Sequence, residues 1–272
     1  MRYFLVDNGS LRAESVLNLR RVARELAERS GETITPASLL HSNRIDPAEL
    51  GGEKAVNLER RLRDCWAAGE REFGLIPFFF GPTGAITQYW PERLAFLREH
   101  MGPVEMERTG FLFEGRGAEL AAILRDRIKE VRTEEGIGGA RVVLVDHGSP
   151  LPEVAAVRNL LAAELRKQLA GEATAVAPAS MERRDGAYYA FNEPLLERIL
   201  REPDWNEGDV IISMLFLSPG RHAGAGGDIA EICRAAEEES PALRTLRTGL
   251  VGDHPAIVPL LEERLRGPRV AL

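Results

Sequence analysis

The stretch LVDHGSP at residues 144–150 decides the fold, because nearly the same phrase, LVDNGSL, occurs at residues 5–11. An apolar run that ends in Asp-x-Gly-Ser is typical of a buried strand followed by a tight turn. Further matches follow in the same order at offsets of 137 to 142 residues: RTGF and RTGL, TPAS and APAS, FFFGP and LFLSP. The sequence therefore predicts an internal duplication, with halves at residues 1–136 and 137–272.

Each half alternates short β-branched or apolar runs with segments of helical periodicity. This alternation predicts an α/β fold of two similar flavodoxin-like domains, each with a four-stranded parallel sheet flanked by helices. The glycine-containing segment RTEEGIGGA, residues 132–140, is expected to link them. The expected helices include residues 53–72 in the first half and a helix around residues 190–202 in the second.

Composition narrows the class of protein. The net charge of −7 is unfavourable for a nucleic-acid or anionic-membrane binder, and no apolar run is long enough for a membrane span or a signal peptide. The chain has two cysteines, Cys65 and Cys233, in no metal-binding spacing. We expect a cytoplasmic protein with reduced thiols that binds neither nucleic acid nor membrane.

Unusual polar residues follow the first three expected strands of the second half. His147 follows the first strand, Glu182 the second and His222 the third. Since ligands bind beyond the carboxyl ends of parallel strands, these side chains are expected to converge on a divalent metal ion such as cobalt or iron. Neutral imidazole also accepts protons near neutral pH, so the same residues are the candidate catalytic bases.

The duplication separates these residues from the scaffold. The first half has Asn8 in place of His147, Leu40 in place of Glu182 and Ala85 in place of His222, although the surrounding phrases persist. His41 follows Leu40 directly, so a remnant site in the first half stays open as an alternative. The histidines and Glu182 are therefore interpreted as functional additions to a scaffold that folds without them.

Other site types fit the sequence less well. The glycines of SPGRHAGAGGD, residues 218–228, could bind phosphate at a helix N-terminus. However, a dinucleotide-binding fold places its glycine motif after the first strand, where this chain has DHGSPLPE, and no P-loop motif occurs. No nucleophile elbow G-x-S-x-G supports a serine hydrolase either. We expect no nucleotide or redox cofactor.

The second half resembles the class II tetrapyrrole chelatases, in particular the sirohydrochlorin cobaltochelatases and ferrochelatases. The resemblance lies in LVDHGSP, PASME, MLFLSPGRHAGAGGDIAEI and GLVGDHPAIVPLLEERL, which span nearly all of residues 141–266 in family order. It implies two facing lobes, insertion of Co²⁺ or Fe²⁺ as a substrate metal into an early tetrapyrrole of cobalamin or siroheme synthesis, and His147 and His222 as the catalytic, metal-handling pair with Glu182 assisting. Two-lobe members often carry these residues in the first lobe, whereas here they lie in the second.

The substrate of such an enzyme carries several carboxylates, which the net negative charge of this chain would repel. Local positive side chains are therefore needed to bind it. Arginine binds carboxylates through paired N–H donors, and the expected substrate-binding residues are Arg221, Arg183, Arg184, Ser149 and Gly220. Surface ion pairing of these arginines is the alternative interpretation. Because both lobes are in one chain, a monomer is sufficient and no dimer is needed to form the cleft that the resemblance implies. A non-catalytic tetrapyrrole- or metal-binding protein on the same scaffold is the competing hypothesis for function.

Overall fold

A computed structural model describes all residues, 1–272. The chain forms two parallel sheets flanked by helices, as the sequence predicts. The strands are β1 Arg2–Asp7, β2 Thr33–Ser38, β3 Glu72–Pro77, β4 Glu105–Arg108, β5 Ala140–Asp146, β6 Ala173–Ser180, β7 Gly208–Met214, β8 Leu243–Arg247 and β9 Val270–Ala271. The helices are α1 Ala13–Ser30, α2 Leu58–Ala67, α3 Trp90–Met101, α4 Ala118–Glu135, α5 Pro152–Gln168, α6 Leu196–Ile199, α7 Asp228–Glu239 and α8 Ile257–Arg266.

The two sheets repeat one strand order. The first is β2-β1-β3-β4-β9 and the second is β6-β5-β7-β8, so the four parallel strands of each sheet follow the same path. The pairing register repeats as well: Leu5 is paired with Pro36 in the first sheet, and Leu144 is paired with Pro178 in the second. Each sheet has the four expected parallel strands, and the first sheet also has β9 as a short antiparallel edge strand.

Two of the expected helices are shorter than the sequence indicates. The helix expected at 53–72 is restricted to α2, whose N-cap is Asn57. The helix expected around 190–202 is replaced by a 3₁₀ helix, Ala187–Asn192, and the single turn α6. Pro194 lies between them, and a proline in a helix interior removes a hydrogen bond and collides with the preceding turn. Within the expected linker, residues 132–135 still belong to α4, Gly136 is its C-cap and β5 begins at Ala140, so residues 136–139 connect the two elements.

The chain divides into two compact units. Unit 1 is residues 1–114 with 255–272, and unit 2 is residues 115–254. In each half of the duplication, the last helix packs in the unit formed by the other half. The helix α4 ends the first half but packs on α5 and β7 in unit 2, and α8 ends the second half but packs on α1 in unit 1. Arg29 of α1 forms an ion pair of 2.9 Å with the buried Glu262 of α8. The boundary at residue 136 therefore describes the repeat of the sequence and not the packing, and it stays a prediction.

Apolar side chains between sheet and helices form the core of each unit. In unit 2 the core includes Val143 and Val145 of β5, Ile212 of β7 and Cys233 of α7. Burial raises the pKa of the Cys233 thiol to about 11, and both cysteines are free thiols. None of the helices combines the length and the apolar character needed to cross a lipid bilayer.

Candidate functional site

The turn after β5 brings His147 and Glu182 together through the backbone. The Glu182 N–H donates to the His147 carbonyl at 3.2 Å, and the Gly148 N–H donates to the Asp146 carboxylate at 3.1 Å. Gly148 has a φ of 91°, and a Cβ atom there would lie 1.9 Å from the Glu182 carbonyl oxygen. Only glycine allows this approach, which explains the Asp-x-Gly-Ser phrase as a scaffold requirement.

The same turn in unit 1 has the same geometry. The Leu40 N–H donates to the Asn8 carbonyl at 3.1 Å, and a Cβ atom on Gly9 would lie 1.8 Å from the Leu40 carbonyl oxygen. Asn8 and Leu40 are therefore the structural counterparts of His147 and Glu182, as the sequence predicts. Ala85 begins a π-helical turn that leads into α3, whereas His222 lies in an open loop before α7, so the third correspondence holds for the sequence but not for the local backbone.

The structure places the three predicted ligands next to one another in unit 2. The rings of His147 and His222 meet edge to face with centroids 4.5 Å apart. His147 Nε2 lies 3.4 Å from Glu182 Oε1, and the two side chains are 45% and 61% exposed. All three lie beyond the carboxyl ends of β5, β6 and β7. The site is thus open to a ligand from solvent.

A fourth residue, Asp228, belongs to this group and was missed by the sequence analysis. Its Oδ2 atom lies 2.6 Å from His222 Nδ1. A carboxylate acceptor at this distance holds the proton on Nδ1 and leaves the Nε2 lone pair available, an arrangement common for histidines that bind metals. The available signal was the position of Asp228, since it is the first residue of α7 and follows His222 by six residues.

The loop backbone fixes His222 in this position. The Ile229 N–H donates to the His222 carbonyl at 3.2 Å, and a Cβ atom on Gly227 would lie 2.6 Å from the same carbonyl oxygen. Gly227 therefore allows the loop to close onto the start of α7.

No set of three or more His, Cys, Asp or Glu side chains is arranged as a complete metal site. However, His147 Nε2 and Glu182 Oε1 are spaced for two ligands of one ion. Two ligand atoms each about 2.1 Å from a metal lie about 3.4 Å apart when the angle between them is near tetrahedral. The spacing of these two atoms therefore allows both of them to bind one ion.

A buried network of hydrogen bonds stabilises the turn that carries His147. Arg158 of α5 is fully buried, and its guanidinium donates to the Asp146 carboxylate at 3.3 Å, to the Ser180 hydroxyl and to the Asn192 carbonyl at 3.2 Å. Ser180 Oγ in turn donates to Asp146 Oδ1 at 2.6 Å. A buried charge is tolerated when it is paired and hydrogen-bonded, and here the pairing holds the residue directly before His147.

Unit 1 has the carboxylate of this network without the arginine. The offset of 139 that relates α1 to α5 places the buried Leu19 at the position of Arg158. Asp7, the counterpart of Asp146, has a buried Oδ1 atom with no hydrogen-bond partner. Desolvation raises the pKa of Asp7 to about 6, against the opposing effect of hydrogen bonds from Ser38 and the Gly9 backbone.

The predicted substrate-binding residues differ in their availability. Arg221 is 80% exposed and makes a loose ion pair with Asp228 at 3.7 Å. Arg184 lies over the ring of Tyr189, with 5.8 Å between its Cζ atom and the ring centroid, and makes no ion pair. Arg183, by contrast, pairs with Glu193 at 2.6 Å. Arg221 and Arg184 are thus free to bind a carboxylate, whereas Arg183 would have to leave Glu193.

Ser149 and Gly220 have structural partners. The Ser149 N–H and carbonyl bond the side-chain amide of Asn192 at 3.0 and 2.9 Å, and its hydroxyl accepts from the Leu151 N–H at 3.0 Å. The Gly220 carbonyl accepts from the Gly224 N–H at 3.1 Å. These bonds account for both residues within the scaffold, and their contact with substrate stays a prediction.

Comparisons with known proteins show similarity in sequence over residues 141–267 and in fold over nearly the whole chain. Residues 141–267, just under half of the chain, match the CbiX family model. The structure is similar to SirB from Bacillus subtilis with Fe³⁺, at a TM-score of 0.69 and 16% identity over 98% of this chain and 95% of SirB. It is also similar to the sirohydrochlorin chelatase SirB from Bacillus subtilis subspecies spizizenii in complex with cobalt, at a TM-score of 0.69 and 15% identity over 98% and 94% of the two chains.

A third similar structure is CbiX, the terminal enzyme for biosynthesis of siroheme in denitrifying bacteria. It has a TM-score of 0.64 and 17% identity over 98% of both chains. No curated protein sequence is significantly similar to this chain. Identities this low show a shared fold, and the shared fold extends over both sheets.

Proposed function

The chain is CbiX-like in residues 141–267 and has the fold of SirB and CbiX over almost its whole length, and on this premise we propose that it inserts a divalent metal ion, Co²⁺ or Fe²⁺, into sirohydrochlorin. One observation supports the proposal most directly. The edge-to-face pair of His147 and His222, with Glu182 at 3.4 Å from His147, lies in the part of the chain that matches the family model.

The reaction exchanges protons for metal. Two pyrrole N–H bonds break, bonds form between the metal and the ring nitrogens, and the two protons leave the macrocycle. The metal must also lose water ligands. A site that binds the incoming ion loosely and accepts protons on the same side meets both requirements.

The residues divide these tasks by position. His147 Nδ1 lies 3.1 Å from the Gly148 carbonyl, and His222 Nδ1 lies 2.6 Å from Asp228, so Nε2 is the atom of each ring that is left to bind metal or proton. Glu182 supplies a carboxylate oxygen beside His147 Nε2, which helps to neutralise the charge of the ion. Imidazole and carboxylate bind both Co²⁺ and Fe²⁺, and neither ligand requires a redox step.

The test is metal insertion followed by the absorption change of the macrocycle. Purified protein is incubated with sirohydrochlorin and Co²⁺, Fe²⁺ or Ni²⁺, with buffer and the variant His147→Asn in parallel. His100→Asn is the matched control, because His100 is an exposed histidine on α3 in unit 1. We expect insertion by the wild type and by His100→Asn. Binding of sirohydrochlorin without insertion above the buffer rate would favour the non-catalytic binding protein instead.

A further inference from the structure

An aromatic surface lies on the segment that follows Glu182 in the chain. The aromatic loop, residues 186–193, follows β6 and contains Tyr188, Tyr189 and Phe191, whose ring centroids are 5.2 to 6.3 Å apart. Tyr188 is 72% exposed, the most exposed of the large apolar side chains in the chain. Tyr189 and Phe191 are half-buried, and an exposed ring that packs on other aromatic rings is typical of a surface that binds a ligand.

Direct hydrogen bonds attach the aromatic loop to the turn that carries His147. The buried Asn192 side chain donates to the carbonyls of Ser149 and Tyr189, at 2.9 and 3.2 Å, and accepts from the Ser149 N–H at 3.0 Å. Arg158 donates to the carbonyls of Phe191 and Asn192, both at 3.2 Å, while it pairs with Asp146. The loop and the histidine turn therefore hold a fixed distance from each other.

A positive charge that no carboxylate of the protein neutralises lies against the aromatic loop. The guanidinium of Arg184 is placed over the Tyr189 ring and makes no ion pair. An arginine stacked on an aromatic face keeps its N–H donors directed outward for an anion. Aromatic rings beside such an arginine match a flat conjugated molecule with carboxylates on its rim.

Unit 1 provides an internal comparison. Its loop between β2 and α2, residues 39–57, contains no Phe, Tyr or Trp, and unit 1 also lacks the histidine pair and the counterpart of Arg158. The aromatic loop therefore occurs together with the candidate catalytic residues and is not needed by the repeated scaffold.

We propose that the aromatic loop is the surface that binds the tetrapyrrole macrocycle, with the Tyr188 ring stacked on the conjugated face and Arg184 bound to a carboxylate on the rim. The inference rests on the proposed function and adds the side chains that orient its substrate. Binding here requires no metal, since neither Tyr188 nor Arg184 is a candidate ligand of the ion.

The test separates binding of the macrocycle from insertion of the metal. The fluorescence of metal-free sirohydrochlorin is titrated with the wild type, Tyr188→Ala, Tyr188→Phe and Arg184→Ala, and the kcat and KM of insertion are measured for each. Phe96→Ala is the matched control, because Phe96 is an exposed aromatic residue on α3 with Arg93 stacked over its ring at 4.6 Å. Circular dichroism checks that each variant is folded.

We expect Tyr188→Ala to raise both the Kd and the KM about tenfold, with kcat changed by less than about twofold. Tyr188→Phe should keep most of the affinity, and Arg184→Ala should lower both the affinity and its dependence on salt. Phe96→Ala should bind as the wild type does. If Tyr188→Ala binds normally while the wild type inserts metal, the inference is overturned and the proposed function stands. A wild type that does not bind sirohydrochlorin overturns both.

Discussion

His222 Nδ1 lies 2.6 Å from Asp228 Oδ2, so the first residue of α7 fixes the orientation of one ring of the histidine pair. Any effect of Asp228 on the site passes through its hydrogen bond to His222. It is therefore a positioning residue.

The variant Asp228→Asn should lower metal affinity or the insertion rate by about 10- to 100-fold, the usual effect of losing the carboxylate partner of a metal-binding histidine. Co²⁺ titration followed by absorbance and the kcat of insertion measure the two effects. Glu231→Gln, an exposed carboxylate in the same first turn of α7, is the control and should change neither. An unaltered Co²⁺ affinity and kcat in Asp228→Asn would show that the contact has no part in the site.

The variant His147→Asn makes the turn of unit 2 imitate that of unit 1. Asparagine keeps the hydrogen-bonding capacity of the turn but cannot accept a proton near neutral pH. We expect a folded protein whose insertion rate is lower by about two orders of magnitude or more. The reverse variant, Asn8→His, should add little activity, because Leu40 and Ala85 supply no partners. An unfolded His147→Asn protein would mean that the imidazole is structural.

Arg221 is exposed and close to His222 in sequence, which suits it to bind a substrate carboxylate. We expect Arg221→Ala to raise the KM for sirohydrochlorin about tenfold or less, with a small effect on kcat. Arg234→Ala on α7, which removes a similarly exposed arginine from a surface ion pair, is the control. Steady-state kinetics at two salt concentrations distinguish the variants, and an unchanged KM in Arg221→Ala would count against the role.

The buried pair of Arg158 and Asp146 predicts a stability effect. Arg158→Leu, which copies the Leu19 of unit 1, leaves Asp146 buried without its counter-charge and frees the carbonyls of Phe191 and Asn192. We expect a loss of about 3 kcal/mol in the free energy of unfolding, measured by urea denaturation. Arg166→Leu on the exposed side of α5 should cost less than about 1 kcal/mol. Equal effects of the two variants would contradict the importance of burial.

The raised pKa of Asp7 predicts that protonation of this carboxyl stabilises the folded protein. Its pKa is about 6 in the folded protein and near 3.8 when unfolded, so the folded state binds the proton more tightly. The stability that this carboxyl contributes is present below pH 3.8 and is lost as the pH rises through 6. Asp7→Asn should therefore be more stable than the wild type above pH 6, by about 1 to 2 kcal/mol, and the difference should shrink toward pH 4.

Urea denaturation of Asp7→Asn and the wild type between pH 4 and 8 measures this difference. Asp146→Asn is the matched control, because its carboxylate pairs with Arg158. It should be less stable than the wild type at neutral pH. An Asp7→Asn protein destabilised at pH 8 would show that the hydrogen bonds of Asp7 outweigh the cost of burying its charge.

The repeat made much of the fold predictable. Sequence matches at a nearly constant offset predicted two copies of one topology. The strand pairing confirms this prediction, since Leu5 is paired with Pro36 and Leu144 with Pro178. The helix expected around residues 190–202 failed because Pro194 interrupts a segment whose apolar spacing alone favours a helix. The strand β9 has two residues and depends on pairing with β4 across a long sequence separation, which no local pattern reveals.

The proximity of the candidate site residues was predictable from their positions at strand ends. Three neighbouring parallel strands, β6, β5 and β7, have their carboxyl ends at the same edge of the sheet. These strands are followed by Glu182, His147 and His222, respectively. Asp228 and Arg158 escaped notice because acidic residues at helix starts and arginines on helices are common on surfaces. Their roles depend on burial and on a contact in space. Tyr188 was missed because an aromatic residue in sequence gives no sign of its exposure.

The helix α4 belongs to unit 2 and α8 belongs to unit 1, and this division affects the order in which the two units are completed during synthesis. Unit 2 is continuous in sequence and is complete once residue 254 has been made, although unit 1 begins first. Unit 1 is complete only when residues 255–272 have been made, because Glu262 of α8 forms the ion pair with Arg29 and β9 pairs with β4. A nascent chain arrested at residue 254 would hold the histidine pair in a finished unit while the earlier-synthesised sheet still lacked its final helix and strand.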